Sequence, residues 1–404
     1  MSMKRREFLK TTVAGTAALA GLRGKAWGQA KPVRIGYTLS ATGPYAPGAQ
    51  YTQGTNYALW AEQVNARGGL MVKGEGRRPV EFVSIDDRSE IETAVRSYEK
   101  LMTEDKVDLI LPPWGTAMHF AVAPVANKYG YPMIGPTVGS AKLEEFHFPY
   151  FYVILQQLDA LVQAVAGFMK DQKAQGRISK VGLAYINDLF GIEMYNALTP
   201  LLKDAGLSPV IVKSYPLGVK DLAPILKEVK AAGVDAFIGL SYPPDNILMT
   251  GQAKEVDYNP RVYFTAVGTA FFFYRDRFKG AEGITGFAGW NPKVKTPGSK
   301  DYYEAYVKKF PKTEPDRWGG AVVMSMLQII EKCVAEVGLD RKRIKEMLDS
   351  QEFTGLLLGS VKFTRGLNKS TPGMIGQWQK GEFEIVWPRD RATGTAMVPK
   401  PGWA

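Results

Sequence analysis

From Val33 onward, short runs rich in β-branched residues alternate with stretches of helical periodicity, and this rhythm constrains the fold more than any other feature of the chain. Val33–Leu39, Val80–Ile85, Val107–Leu111 and Tyr131–Ile134 read as strands, with helices predicted over 50–67, 90–103 and 117–128. Strands separated by helices of this length form βαβ units with a parallel sheet. The rhythm restarts after a helix predicted over 159–175. Strands at 181–186, 209–214, 236–240 and 262–266 then alternate with helices at 190–205, 222–232 and 246–255. Two sets of equal size predict two doubly wound α/β lobes. Beyond them come a strand near 284–290, helices between 299 and 350, and short strands near 359–363, 375–378 and 383–387. The Pro- and Gly-rich segment from Arg389 reads as irregular.

In 404 residues, 45% apolar content supports two cores, and 23% charged residues argue against a disordered chain. The single cysteine, Cys333, excludes an intrachain disulfide and a cysteine-clustered zinc site. Two histidines, His119 and His147, leave little room for a histidine-based metal site or triad, so no metal and no cofactor is expected. The sequence has no G-x-S-x-G, H-E-x-x-H or G-x-x-x-x-G-K pattern, which argues against an enzyme.

Residues 1–30 read as an export signal. Lys4-Arg5-Arg6-Glu7-Phe8-Leu9-Lys10 precedes an uncharged run from Thr11 to Leu22 and a small-residue exit at Gly28-Gln29-Ala30. The paired arginines resemble the twin-arginine export signal, except that Lys4 stands where Ser or Thr is usual. That resemblance implies delivery of a folded protein to the periplasm. This segment carries six basic residues against Glu7, so +5 of the formal +11 lies there and a mild +6 remains. The densest basic run, Arg341 to Lys345, is interleaved with acids and reads as a solvated helix face, not a nucleic-acid patch.

In open α/β sheets, ligands sit at the carboxyl ends of strands, near helix N-termini. The exits here are Thr42–Gly48, Pro112–Thr116, Gly135–Ser140, Asn187–Gly191, Ser241–Pro244 and Gly268–Tyr274. Thr116 reads as a helix N-cap beside free N–H groups suited to a carboxylate. The aromatics Tyr45, Trp114, Phe190, Tyr242 and Trp318 suit an apolar ligand body.

Thr42-Gly43-Pro44, Gly54, Val64-Asn65-Ala66-Arg67-Gly68-Gly69-Leu70, Asp86-Asp87, Ala123-Pro124-Val125-Ala126 and Asn187-Asp188-Leu189-Phe190-Gly191 together resemble the leucine/isoleucine/valine-binding-protein family. The resemblance covers nearly all of residues 31–388. It implies a type I periplasmic binding protein: two lobes joined by a three-strand hinge, closing on a ligand for an ABC permease. The lobes would span 31–153 plus 288–362 and 154–287 plus 363–388, with a tail at 389–404 and a monomeric chain. Carried over residue by residue, the carboxylate loop falls on Trp114, Gly115 and Thr116. The loop taking both α-groups falls on Thr137, Val138 and Gly139, and the covering aromatics on Phe190 and Tyr242. One position departs from the pattern. Amino-acid receptors of the family carry an acid near Val267 to hold the ammonium, and Ala266-Val267-Gly268-Thr269 contains none. Burying an ammonium without a counter-charge is costly. That gap and the aromatic set favour a carboxylate without an amine, whereas the resemblance favours an apolar, branched-chain or aromatic amino acid. The amino acid is the expected ligand, with Asp188 or Asp245 as substitute partner for its ammonium. The alternatives are a carboxylate or amide lacking the amine, or a sensing role at a membrane receptor.

Overall fold

The computed structural model describes residues 31–145, 148–279 and 281–403. The export-signal reading of residues 1–30, and His147, lie outside them. In the first lobe, Val33–Leu39 lies parallel to Val80–Asp86, and Leu109–Ile110 pairs with its other edge. Met133–Gly135 and Phe151–Val153 pair in parallel. They continue through Leu367–Asn368 into the antiparallel strands Gly359–Thr364 and Glu352–Leu356. The second lobe holds one seven-stranded sheet. Its spatial order is Glu382–Trp387, Met374–Gln379, Thr285–Ala288, Val262–Thr265, Ala236–Leu240, Val181–Ile186, Ile211–Tyr215. The five strands drawn from 181–288 run parallel, and the two C-terminal ones antiparallel. Ala236–Leu240, near the middle, is buried along its whole length. That is the burial a parallel strand needs when helices cover both faces.

The chain passes between the sheets three times: after Val153, after Ala288, and between Asn368 and Met374. The expected strand–helix alternation is present, with corrections at boundaries. The helix predicted from Gln50 opens as a π-helical turn over Ala49–Gly54 before the α-helix Thr55–Ala66. The helix predicted from Asn246 begins at Pro243, because proline lacks the N–H that a first turn leaves unbonded anyway. Short strands at Leu70–Val72, Gly76–Arg78, Phe151–Val153, Glu352–Leu356 and Leu367–Asn368 were not signalled by the sequence pattern. Past Arg391 the tail is irregular but anchored on the second lobe. Gln377 and Met397 exchange hydrogen bonds, Trp403 Nε1 donates to the Tyr258 carbonyl, and the Lys400 ammonium covers the Trp403 ring. Among the described residues, no helix is long and apolar enough to cross a membrane.

Candidate ligand-binding cleft

Loops at the carboxyl ends of strands from both sheets meet around a small cavity of about 20 Å³. The first lobe supplies Trp114, Gly115 and Thr116 at the start of the helix Thr116–Lys128, and Thr137 and Gly139 from the loop after Met133–Gly135. The second supplies Phe190, Tyr242 and Val267. Leu155, Leu161, Phe287 and Trp318 close the side beside the crossovers.

The first-lobe wall is built from backbone and hydroxyls. Gly115, not Thr116, is the N-cap, at φ 95°, a left-handed-side geometry that a residue with a Cβ rarely adopts. This corrects the expectation of a threonine cap. The Thr116 hydroxyl instead ties down the next loop, accepting from Gly139 N at 3.2 Å and donating to Gly139 O at 3.4 Å. Thr137 Oγ1 accepts from Gly115 N at 3.3 Å, so the two threonines interlock the two loops. Behind them His119 is buried, bonded through Nδ1 to Gly115 O at 2.8 Å, and burial lowers its pKa to about 4. It is a neutral prop for this wall.

The second-lobe wall is aromatic. Phe190 stacks on Tyr242 with centroids 5.2 Å apart, and Tyr242 meets Trp114 of the first lobe edge-on at 5.3 Å. Tyr45 does not line the cavity. It stands behind, 5.5 Å from Trp114 and 5.4 Å from Tyr242, joining the two walls. Val138 is fully buried away from the lining. Farther along the contact, Ala141 N donates to Glu193 Oε2 at 3.1 Å, so the lobes meet in a closed arrangement.

The acids lie behind the rings. Asp188 caps the helix Leu189–Asp204, accepting from Gly191 N at 2.9 Å and from the Tyr242 hydroxyl at 2.8 Å. Burial nevertheless raises its pKa. Asp245 accepts from Tyr242 N at 3.4 Å in a capping box, and burial, with the Asp188 charge adding, raises it to about 7. Neither carboxylate is among the lining residues, and no other acid is. Asp87 is likewise structural, accepting from Thr38 Oγ1 and Ser40 Oγ at the first strand exit. The polar residues around the cavity are thus Thr116, Thr137 and the tryptophans Trp114 and Trp318, and the surface they present to it is almost wholly apolar. Both indoles are buried without a hydrogen-bond partner among the described residues.

Of the ten residues singled out from sequence, Trp114, Gly115, Thr116, Thr137, Gly139, Phe190, Tyr242 and Trp318 line this cavity. Leu155, Leu161 and Phe287 were missed. They sit beside crossovers and within a strand, where nothing marks a strand exit.

A two-lobed α/β chain with a closed, aromatic, uncharged cleft between its lobes has the architecture of a solute receptor. The family model described as periplasmic binding protein matches residues 32–382, and the chain belongs to that family, in its leucine/isoleucine/valine-binding branch. The Leu/Ile/Val-binding protein homolog 7 of Brucella abortus (strain 2308) is 26% identical over 407 residues, covering 95% of this chain and 98% of that one. Among solved structures, the branched-chain amino acid substrate-binding protein LivJ of Streptococcus pneumoniae, in complex with isoleucine, superposes with a TM-score of 0.77. It is 18% identical and covers 92% of this chain and 100% of its own. A solute-binding protein from R. palustris, in complex with benzoate, also gives 0.77, at 16% identity, covering 92% and 98%. At these identities the two structures speak to the fold. Members of this family bind solutes and are not enzymes, in line with the absence of catalytic motifs.

Proposed function

We propose that this chain is the periplasmic substrate-binding component of an ABC importer and that its ligand is a small carboxylate without an amine, of aromatic or branched apolar body. The observation that carries the ligand reading is the lining of the cleft: an apolar, aromatic surface with no acid, at the start of the helix Thr116–Lys128. A helix N-terminus complements a carboxylate. An ammonium brought into the same space would lack a counter-charge, and its desolvation would go uncompensated. The aromatic walls Trp114, Phe190, Tyr242, Phe287 and Trp318 suit a flat ring. The complex of the R. palustris relative with benzoate is in keeping with this chemistry.

Binding is a population shift. The ligand's carboxylate docks on the first-lobe loops at Thr116 and Thr137, and closure brings Phe190 and Tyr242 over its body. A ligand drives that closure only through interactions it makes in the closed form and lacks in the open one. In this reading the lobes are residues 31–153 with 288–362 and 154–287 with 363–388, the tail is 389–404, the protein is a monomer, and an inner-membrane permease receives the ligand. Residues 1–30 direct export by the twin-arginine route.

A second reading has a specific support: the Brucella relatives are named for leucine, isoleucine and valine, and LivJ holds isoleucine. It requires Asp188 or Asp245 to give up its capping bonds for an ammonium. A thermal-shift screen with leucine, phenylalanine, their deaminated hydroxy and keto acids, benzoate and short amides separates the two. Ligand at a hundredfold excess over Kd adds ~2.7 kcal/mol to native-state stability. A shift with the amine-free acids alone is the expected result. A shift with leucine or phenylalanine but not their deaminated forms overturns it. In that case, unchanged affinity in the Asp188→Asn, Asp245→Asn double variant removes those two carboxylates as the ammonium partner.

A further inference from the structure

A second cavity, of about 480 Å³, lies at the crossovers, and no described residue lines both it and the cleft. That volume is in the range of small-ligand sites, ~300–1,000 Å³. Its walls come from both lobes. Leu357 and Leu358 join two strands of the first-lobe sheets, and Met374 and Ile385 belong to strands of the second. Gly289 and Thr371 stand on two of the crossovers themselves. Buried polar bonds hold this frame. Thr393 Oγ1 accepts from Ile385 N at 2.9 Å and from Asn291 Nδ2 at 2.8 Å, and donates to Glu384 Oε2 at 2.6 Å. The other oxygen of buried Glu384 pairs with the Lys293 ammonium. That pairing neutralises Lys293 and leaves the rim to Lys295, Arg391 and Asp390. The side chains of Lys295 and Arg391 are exposed and make no hydrogen bond or ion pair among the described residues.

We infer that this cavity is a second ligand site, an effector pocket for a small amphiphilic anion whose occupant favours the closed arrangement of the lobes. The lining selects that chemistry. The apolar wall of Leu357, Leu358, Met374 and Ile385 is covered favourably only by an apolar body. At the rim, Lys295 and Arg391 against Asp390 leave an excess positive charge. A carboxylate, sulfonate or phosphate there gains two cationic partners that give up no existing bond. An ammonium meets the same two cations as like charges. The coupling follows from position. A cavity walled by both lobes keeps this shape only at this lobe angle, the angle at which the cleft is closed, so an occupant shifts the population towards it. The crossover after Ala288 also joins the two cavities. Gly289 N and Trp290 N both donate to the Arg317 carbonyl, at 2.7 and 3.0 Å, and the next residue is Trp318 of the cleft. By linkage, an effector here tightens the cleft for its own solute, whichever solute that is.

Isothermal titration of the purified protein with octanoate and with octylammonium tests the binding, and small-angle X-ray scattering with and without octanoate tests the coupling. Octanoate is expected to bind and octylammonium, the same chain with the opposite charge, is not. In the Lys295→Glu, Arg391→Glu double variant the octanoate affinity falls ~10-fold or more, the scale of one charge-assisted contact. Exposed side chains with no bond to lose leave the fold of that variant intact. The binding that this reversal weakens is unchanged in Thr116→Val, whose substitution lies in the cleft. The radius of gyration falls on addition of octanoate to the unaltered protein and to Thr116→Val, and not in the charge reversal. Equal affinity for octanoate and octylammonium overturns the anion site, as does the absence of octanoate binding at millimolar concentration. Octanoate binding that weakens in Thr116→Val but not in the reversal puts the acid in the cleft and overturns it too. Binding at the rim with an unchanged radius overturns the effector role.

Discussion

On the first-lobe wall of the cleft, Thr116 and Thr137 spend their hydroxyls bonding the backbone of neighbouring loops, at Gly139 and Gly115. On the second-lobe wall, Phe190 and Tyr242 present ring faces and hold two carboxylates, Asp188 and Asp245, out of the cavity behind them. The same secondary-structure junction, a strand running into a helix N-terminus, is thus capped in opposite ways. In the first lobe the cap is a glycine, and the helix starts beside the cavity. In the second lobe an acid serves each junction: Asp188 caps one helix, and Asp245 in the first turn of the other accepts from the N–H of its cap, Tyr242. One junction is left open to an anion and the other is closed against it.

The largest test of this contrast is Tyr242→Ala. Deleting a buried aromatic ring costs ~3–5 kcal/mol, and here it also uncovers Asp188. Denaturant unfolding of the ligand-free protein should show the full loss. A loss under about 1 kcal/mol, the scale of a single ordinary hydrogen bond, would mean that the ring is a ligand lid with no structural duty. Tyr242→Phe keeps the ring and removes only the hydroxyl that donates to Asp188, and a stability loss of ~1–3 kcal/mol is expected. Thr116→Val should weaken carboxylate binding by ~1–3 kcal/mol, seen by titration, with a smaller change in unfolding. If its loss is equal in both, the threonine is a loop clasp and the anion anchor lies elsewhere.

The smallest effect is a pH dependence. Because burial raises the Asp245 pKa to about 7, the folded state keeps its proton after the unfolded chain has released it near the ordinary value of 3.8. Stability from this group therefore falls as pH rises from about 4 to about 7. Buried His119, lowered to about 4, acts oppositely, adding stability as pH rises from about 4 towards 6.5. Between about pH 6.5 and 7.5 Asp245 should cost ~0.5–1 kcal/mol, offset in part by ~0.3 kcal/mol as the unfolded histidine gives up the rest of its proton. Asp245→Asn, which can still cap the helix, should remove the fall and leave only that small rise in unfolding measurements.

Most of the cleft could be read from the strand exits, because a βα junction is a local event marked by residue type. Pro112-Pro113 ends one strand and delivers Trp114 and Gly115. Asn187-Asp188 and Ser241-Tyr242-Pro243 mark two more exits. Trp318, from a helix-rich segment, came from its residue type alone. What the pattern missed lies at non-local positions. Leu155 and Leu161 follow a crossover whose path depends on both sheets, and Phe287 reaches the cavity from within a strand. Thr116 was expected as a cap because threonine commonly caps. Here the positive φ at Gly115 shifts the helix start by one residue and frees the hydroxyl for Gly139. The duties of Asp188 and Asp245 were also beyond sequence, since burial behind a ring from another helix decides whether an acid meets a ligand.

The two unpartnered indoles have an optical consequence. Trp114 stands at the start of the first-lobe helix Thr116–Lys128, and both it and Trp318 line the cavity and are excluded from solvent. Indole emission shifts when its N–H gains a hydrogen bond, so occupancy of the cleft should register in the protein's own fluorescence without a label. Replacing one indole at a time with phenylalanine would assign the signal to each. The chain thereby carries two built-in reporters of what enters the cleft.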